Sequence, residues 1–487
     1  MYELPEEILQ TVSRTTKLKV IGRGSSFQFR GPDKAAAKVA QALKATHVLD
    51  GSVRRSGKRV RIAASLIECQ GETTIWSDRF ESELSDIFAL QDDIAAAVAA
   101  ALNVVFASRV AAGAIDPSAH DLYLRATAIG TGHLIDDAGR QEIIGLLEEA
   151  TRLAPRFAMA WAFLAGVRVA GLRYGEPGQP YAAARAKVVE AAQAALDIDP
   201  GLGIAYQPIA ALEAFNRYAE RETLFDRALA ASPNDPQVLT VAGFFSAEVG
   251  RIHEAASRAR QAFDLDPMQF SAAYAYATFL DFEGRYEETK GLWDRFCARW
   301  PDSEMMIDAS IATALHNRDW DRFETLMASE TAAPDPLQRR RAMAWLGRNL
   351  RAPDPQAIGR LLERSRRDLE AAGTLRLDLL VSLYNLGLAD ETFELIDQTS
   401  FAYMSDPEQR WPSGTLHGGY IFNVSANHRM MADARFPRLC AKLGLCDYWA
   451  KTDRWPDCAD EGVLPYDFKI ECRRLAAARR APLQGPA

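Results

Sequence analysis

The stretch QVLTVAGFFSAEVGRIHEAASRARQAFDLDP, residues 237–267, decides the fold. It ends on Pro267, which closes a helix because proline cannot donate to the hydrogen-bond ladder. Its closing phrase is one of a series. RLAP, DIDP, AASP, DLDP and ARWP end at Pro155, Pro200, Pro233, Pro267 and Pro301, at successive intervals of 45, 33, 34 and 34. A second marker keeps the same beat: NRYAE, GRIHEA, GRYEET and RDWDRF begin at 216, 250, 284 and 318, a constant interval of 34. Two independent markers on one period make a tandem repeat. No stretch after residue 115 reads as a strand, so the repeating unit is helical.

This resembles the tetratricopeptide repeat (TPR), whose unit is a 34-residue helix pair. The resemblance gives the residues of 237–267 their roles. Gly243 is the small residue where the two helices cross, Gly250 lies in the turn, and Ala255 and Ala262 are small packing positions on the second helix. In an earlier unit Trp161, Leu164 and Ala165 take the large, large and small positions of the first helix. The longer unit that ends at Pro200 carries an insertion, GLRYGEPGQP at 171–180. The match covers 120–336, and helices continue in degenerate form over 337–400 (AMAWLGRNL, LLVSLYNLGLADETFELI). The aromatic stretch KLGLCDYWAKTDRWPDC, 442–458, reads as a cap, which a solenoid needs because its final repeat would otherwise expose an apolar face. From Ile470 the chain reads as a basic helix that frays.

Before residue 115 the texture alternates. PEEILQTVSR (5–14) and AAAKVAQALK (35–44) read as helices, as does the segment from about Asp86. LKVIGR (18–23), 46–55, 58–68 and TTIWSDRF (73–80) read as strands. HVLDGSVRRSGKRVRIAASL, 47–66, is expected to be a hairpin turning at Ser56–Gly57, so that Arg55 faces Lys58 and Val53 faces Val60. Alternation then puts Leu49, Gly51, Val53, Val60, Ile62, Ala64 and Leu66 on one face, and Asp50, Ser52, Arg54, Arg59, Arg61 and Ser65 on the other. The same stretch fails as a phosphate loop. Its glycines are too far apart, Lys58 is followed by Arg59 rather than Ser or Thr, and no helix follows.

Three ordered motifs, VIGRGSSFQFRG (20–31), HVLDGSVRRSGKRVRIAASLIE (47–68) and IWSDRFESELSDIFALQDDIAAAV (75–98), resemble the TolB-like N-terminal domain of bacterial regulatory proteins. In that family the domain precedes TPR repeats and is often attached to adenylate or guanylate cyclase or winged-helix domains. No cyclase or winged-helix segment is present here, so those activities do not carry over. The resemblance implies an α/β N-terminal domain with a small mixed sheet that lacks its first strand. An all-α TPR superhelical solenoid with a C-terminal cap follows. The expected divisions are 1–110, 116–400 and 401–487.

Composition narrows the function. With 48% hydrophobic and 25% charged residues in a chain of 487, the protein has the make-up of a globular chain of several domains. A net charge of −8 argues against nucleic acid as a partner. The apolar run 94–115 is mostly alanine and contains Asn103 and Arg109, so a buried helix is expected there rather than a membrane span. The seven histidines form no ligand pair, and the spacing of Cys440, Cys446, Cys458 and Cys472 matches no common zinc site. No nucleophile, metal or dinucleotide motif is found, so neither a catalytic centre nor a cofactor is expected.

The expected role is therefore a non-catalytic cytoplasmic scaffold that binds a protein or peptide in the TPR groove. The resemblance places Thr240, Phe244, Tyr274, Thr278, Asp281, Met305 and Asp308 on that groove. Arg54, Arg59 and Arg61 form a candidate docking patch, and the exposed N-terminal sheet edge is a candidate for self-association. The alternative is an accessory subunit of a separately encoded nucleotide cyclase or transcription regulator.

Overall fold

The computed structural model describes residues 19–26, 28–29, 35–56, 59–69, 72–83, 93–94, 97–98, 116–130, 137–174, 181–328, 339–408, 421–460 and 462–480. The helix expected at 5–14, the Gly57–Lys58 tip, most of 86–115, the end of the 171–180 insertion, and the chain after Arg480 lie outside them. The chain divides into two compact units. One comprises Met1–Leu212, Thr223–Val241 and Arg260–Ala272; the other comprises Glu213–Glu222, Ala242–Ala259 and Ala273–Ala487.

In the first unit the helix Ala36–Leu43 leads into a sheet of three antiparallel strands, β1 (His47–Ser56), β2 (Arg59–Glu68) and β3 (Thr73–Glu83), in the order β1-β2-β3. The expected mixed sheet is thus antiparallel among its described strands. Alternation is clearest on β2, where Val60, Ile62, Ala64 and Leu66 are buried and Arg59 and Arg61 are exposed. The register differs from the expected one by two residues: Val53 pairs with Ile62, and Ser56 with Arg59. Because side chains repeat every two residues, a slip of two leaves every residue on its expected face. Leu49 and Gly51 are the departures, both exposed on the outer strand β1, Leu49 by 37%.

LKVIGR is not a strand in its described part. Residues 19–22 run without a ladder into the single helical turn Arg23–Ser26. Their backbone is engaged elsewhere: the Gly22 N–H donates to the Leu265 carbonyl, and the Ser25 hydroxyl donates to the Asp266 carboxylate at 2.6 Å. A Cβ on Gly22 would collide with the Asp266 side chain, so only glycine fits this approach. The rest of the unit is helix against helix. Pro117–Gly130, Asp137–Leu153, Ala158–Tyr174 and Tyr181–Ile198 share a core that includes Leu147, Leu164 and Ala191.

The 34-residue beat is visible in the helices themselves. Pro236–Glu248, Phe270–Phe282 and Glu304–His316 start on that interval, as do their partners Ile252–Leu265, Tyr286–Arg299 and Trp320–Ala328. Gly243 sits at a helix crossing, where a Cβ would be 3.4 Å from the Ala255 carbonyl and from the Phe279 ring. Ala255 and Ala262 are fully buried. Each pair turns in the same way. Gly250, Gly284 and Arg318 all have left-handed backbones, with φ of 82°, 78° and 56°. The following N–H closes each first helix, as Arg251 does to Ser246, Arg285 to Leu280 and Asp319 to Ala314. The degenerate pair Leu377–Asn385 and Ala389–Gln398 turns likewise at Gly387, φ 93°. The helical region is a tandem array of TPR-type helix pairs.

The second unit ends in a cap of short helices, Val424–Met431, Phe436–Lys442, Leu445–Thr452 and Phe468–Arg480. Its core is Trp449, Phe436 and Phe468 with the buried thiols Cys440, Cys446 and Cys472. The cap is joined to the repeat turns. The Trp449 indole donates to the Val249 carbonyl at 3.1 Å, and the Asp457 N–H donates to the Gly250 carbonyl at 3.0 Å.

Candidate functional site

The repeats place successive first helices side by side, so one outward position per turn makes a row. Phe244, Tyr274 and Met305 lie on three consecutive first helices, each about one turn nearer the helix start than the one before. The Phe244 and Tyr274 rings stack at 6.5 Å between centroids, and Met305 is 42% exposed. Tyr274 also meets Trp293 edge-on at 5.9 Å. Burial pushes its phenol above the usual value, with Asp308 adding to the shift and Thr278 and Arg339 opposing it. Asp308 closes the row with an ion pair to Arg340 at 2.9 Å, both side chains mostly buried. This is an aromatic strip with a polar rim, the composition that peptide-binding surfaces favour.

Two expected groove residues are used internally instead. Thr240 is buried, and its hydroxyl donates to the Pro236 carbonyl at 2.7 Å. Asp281 is 3% exposed; its carboxylate accepts from the Asn317 amide at 2.8 Å and the Asn423 amide at 3.4 Å. Its backbone carbonyl accepts from the Ser425 hydroxyl at 2.9 Å. Asp281 therefore fastens the start of the cap to a repeat, a role that helix periodicity alone cannot show. Thr278 is half-buried beside Tyr274.

On the sheet, Arg54, Arg59 and Arg61 are exposed, and Arg54 pairs across the strands with Arg61. Arg61 donates to Glu81 on β3 at 3.0 Å, and Arg59 lies 3.9 Å from the same carboxylate. The third strand thus supplies a counter-charge to two of the three arginines, which weakens the patch as an anion site. The four cap cysteines do converge. The Cys446 thiol donates to Cys472 Sγ at 2.9 Å, and burial raises the thiols of Cys440, Cys458 and Cys472. Among the described residues no group of three or more His, Cys, Asp or Glu is arranged to hold a metal ion.

A buried charge network escaped sequence reasoning. Arg221 grips Glu248 with two hydrogen bonds of 2.8 and 2.7 Å, its guanidinium 5.3 Å from the centre of the Phe245 ring. Arg251 donates to Glu222, Glu254 and the Tyr448 hydroxyl of the cap at 2.6–2.7 Å. One signal was readable. Arg251 and Arg285 follow the turn glycine and reach a glutamate three residues on, Glu254 and Glu288. The cap's contribution was not readable, because Tyr448 comes 197 residues later.

No family model matches the sequence. Over 128 residues the chain is 36% identical to "Putative adenylate cyclase 3" of Rhizobium meliloti (strain 1021), covering 25% of this chain and 22% of that protein. The chain thus spans about a fifth of that relative's length. Among solved structures, a tetratricopeptide repeat protein from Parabacteroides merdae ATCC 43184 matches 56% of this chain and all of its own, at 10% identity and a TM-score of 0.34. PilW, a type IV pilus biogenesis factor, matches 47% of this chain and 99% of its own, at 17% identity and a TM-score of 0.35. No helix among the described residues is long and apolar enough to cross a membrane.

Proposed function

We propose that this chain is a non-catalytic regulatory scaffold that holds a protein partner along the first-helix row of its TPR array. The observation that carries this reading is the strip of Phe244, Tyr274 and Met305 on three consecutive repeats, rimmed by Asp308. An amphipathic helix or extended peptide laid across it would bury the exposed Met305 side chain and the remaining exposed parts of the two half-buried rings. The N-terminal α/β segment serves as a TolB-like docking or sensing module, and the outer strands β1 and β3 offer edges for self-association. Six free thiols support a cytoplasmic setting.

The test is a photo-crosslinking amino acid at Met305, with the same group at exposed Ile470 as control. A discrete protein adduct at 305, absent at 470 and reduced by Tyr274→Ala, is the expected result. Equal labelling at both positions would sink the groove.

The alternative is an accessory subunit of a separately encoded nucleotide cyclase or transcription regulator, and the partial match to the Rhizobium protein favours the cyclase. Purified chain added to such a cyclase should change its rate. Cyclic-nucleotide synthesis by the purified chain alone would overturn the non-catalytic reading.

A further inference from the structure

A recess with a volume of about 750 Å³ is lined mostly by the C-terminal part of the chain and shares no residue with the aromatic row. One wall is the end of the Ala389–Gln398 helix with Thr399 and Phe401, another is the Phe436–Lys442 helix, and a third is the last turns of Phe468–Arg480. The volume falls within the range of roughly 300–1,000 Å³ that small-molecule sites occupy. Two further lining residues are tied together: the Asn216 N–H donates to the Met404 carbonyl at 3.0 Å, and its side-chain amide donates to the Ser405 hydroxyl at 2.6 Å.

Three cations line this recess, Arg438, Lys442 and Arg479. Two carboxylates answer them. Asp397 lies 3.3 Å from Arg438, and Asp447 lies 3.4 Å from Arg479. Lys442 Nζ donates instead to the carbonyls of Asp397 at 2.7 Å and Thr399 at 3.0 Å. An ammonium has three donors, so one is left over among the described contacts. Burial and the neighbouring Arg479 hold the Lys442 amine below its usual value, with Asp397 opposing them. Beside the cations stand Phe401 and Leu475, an apolar wall.

We infer that this recess binds a small organic anion, a carboxylate or phosphate monoester, with its charged head on Lys442 and Arg438 and its apolar body against Phe401 and Leu475. The head completes the third donor of Lys442, and charge-assisted hydrogen bonds of this kind are the strong ones. Inorganic phosphate has the head without the body, so it binds more weakly than an aryl phosphate.

The test is calorimetric titration of the full chain with phenyl phosphate, benzoate and inorganic phosphate. Phenyl phosphate or benzoate should bind with millimolar or better affinity, more tightly than phosphate. Arg438→Ala, at a half-exposed position, should weaken binding about tenfold, which corresponds to about 1.4 kcal/mol. Lys442→Met should weaken it at least as much, and Arg364→Ala, 75% exposed on the helix Pro355–Ala372, should change nothing. Circular dichroism checks that each variant is folded. Absence of binding by both organic probes at 10 mM overturns the inference, as does equal binding by wild type and Arg438→Ala. The photo-crosslinking result at Met305 is independent of either outcome.

Discussion

Gly250 lies against Pro456: a Cβ on the glycine would stand 2.5 Å from the proline Cβ and 3.1 Å from the Phe422 ring. The equivalent glycine one repeat on, Gly284, has only Val424 nearby, at 3.7 Å. Both need a left-handed backbone, so alanine costs each about 1–2 kcal/mol in conformation. Only at Gly250 does overpacking add about 1–3 kcal/mol more. Gly250→Ala should therefore lower the urea midpoint clearly more than Gly284→Ala. Equal shifts would mean that the cap does not press on this turn.

Arg318 holds the third of these turns with a side chain where its counterparts have none. Left-handed strain of about 1–2 kcal/mol is relieved by glycine, while the greater freedom of glycine in the unfolded chain costs about 0.5–1 kcal/mol. Arg318→Gly should thus stabilise by roughly 0.5–1 kcal/mol, read as a higher urea midpoint. A loss of stability would show that the arginine side chain contributes more than its backbone costs.

The repeat was legible because its markers are local. Pro267, Gly243 and Gly250 each do one steric job that one residue type does best, and such jobs return with each repeat. The faces of β2 were legible for the same reason, since alternation survives a two-residue slip in register. Asp281 was misplaced because its partners Asn317 and Asn423 lie far along the chain, and helix periodicity marks a face without saying what covers it. LKVIGR has the residues of a strand but spends Gly22 on Leu265. In both cases a long-range contact outweighed local preference.

The Arg221–Glu248 pair is almost fully buried, with 9% and 6% of the side chains exposed. Breaking a buried pair by removing one partner costs about 3–5 kcal/mol, because the other charge stays behind unpaired. Arg221→Met should show that loss in denaturant unfolding. Arg221→Met combined with Glu248→Met should recover at least half of it. If the double variant is as unstable as the single, the pair itself, rather than the stranded carboxylate, supplies the stability.

His253 gives a pH signature. Its Nδ1 lies 2.8 Å from Glu283, and that hydrogen bond raises the imidazole above its usual value, with Asp457 and Asp460 adding to the effect. A raised folded value means the contribution is fully present below the unfolded value of about 6.5 and is lost as pH rises through the folded one. The ring is 73% exposed, so the effect is a few tenths of a kcal/mol at most. His253→Ala should cost more stability at pH 5.5 than at pH 8. The reverse order would place another group in control.

Thiol chemistry tests the packing of the cap. Thiolates, not thiols, react with disulfide reagents, and burial opposes the charge. Cys440, Cys446 and Cys472 are fully buried, and burial holds the Cys440 and Cys472 thiols far above their usual values. Cys458 is nearly as buried and is raised by burial and by Asp457. Cys297 is only half-buried, with its thiol pushed up to about 11. Among the thiols of the second unit, an aromatic disulfide reagent should therefore label Cys297 first in the native protein, and slowly. Cys297→Ser should remove that first phase, and the cap thiols should react only as the chain unfolds in urea. Rapid native labelling of Cys446 or Cys472 would show that the Trp449 core opens readily, and the anchor on Val249 would then be too weak to hold the cap on the repeats.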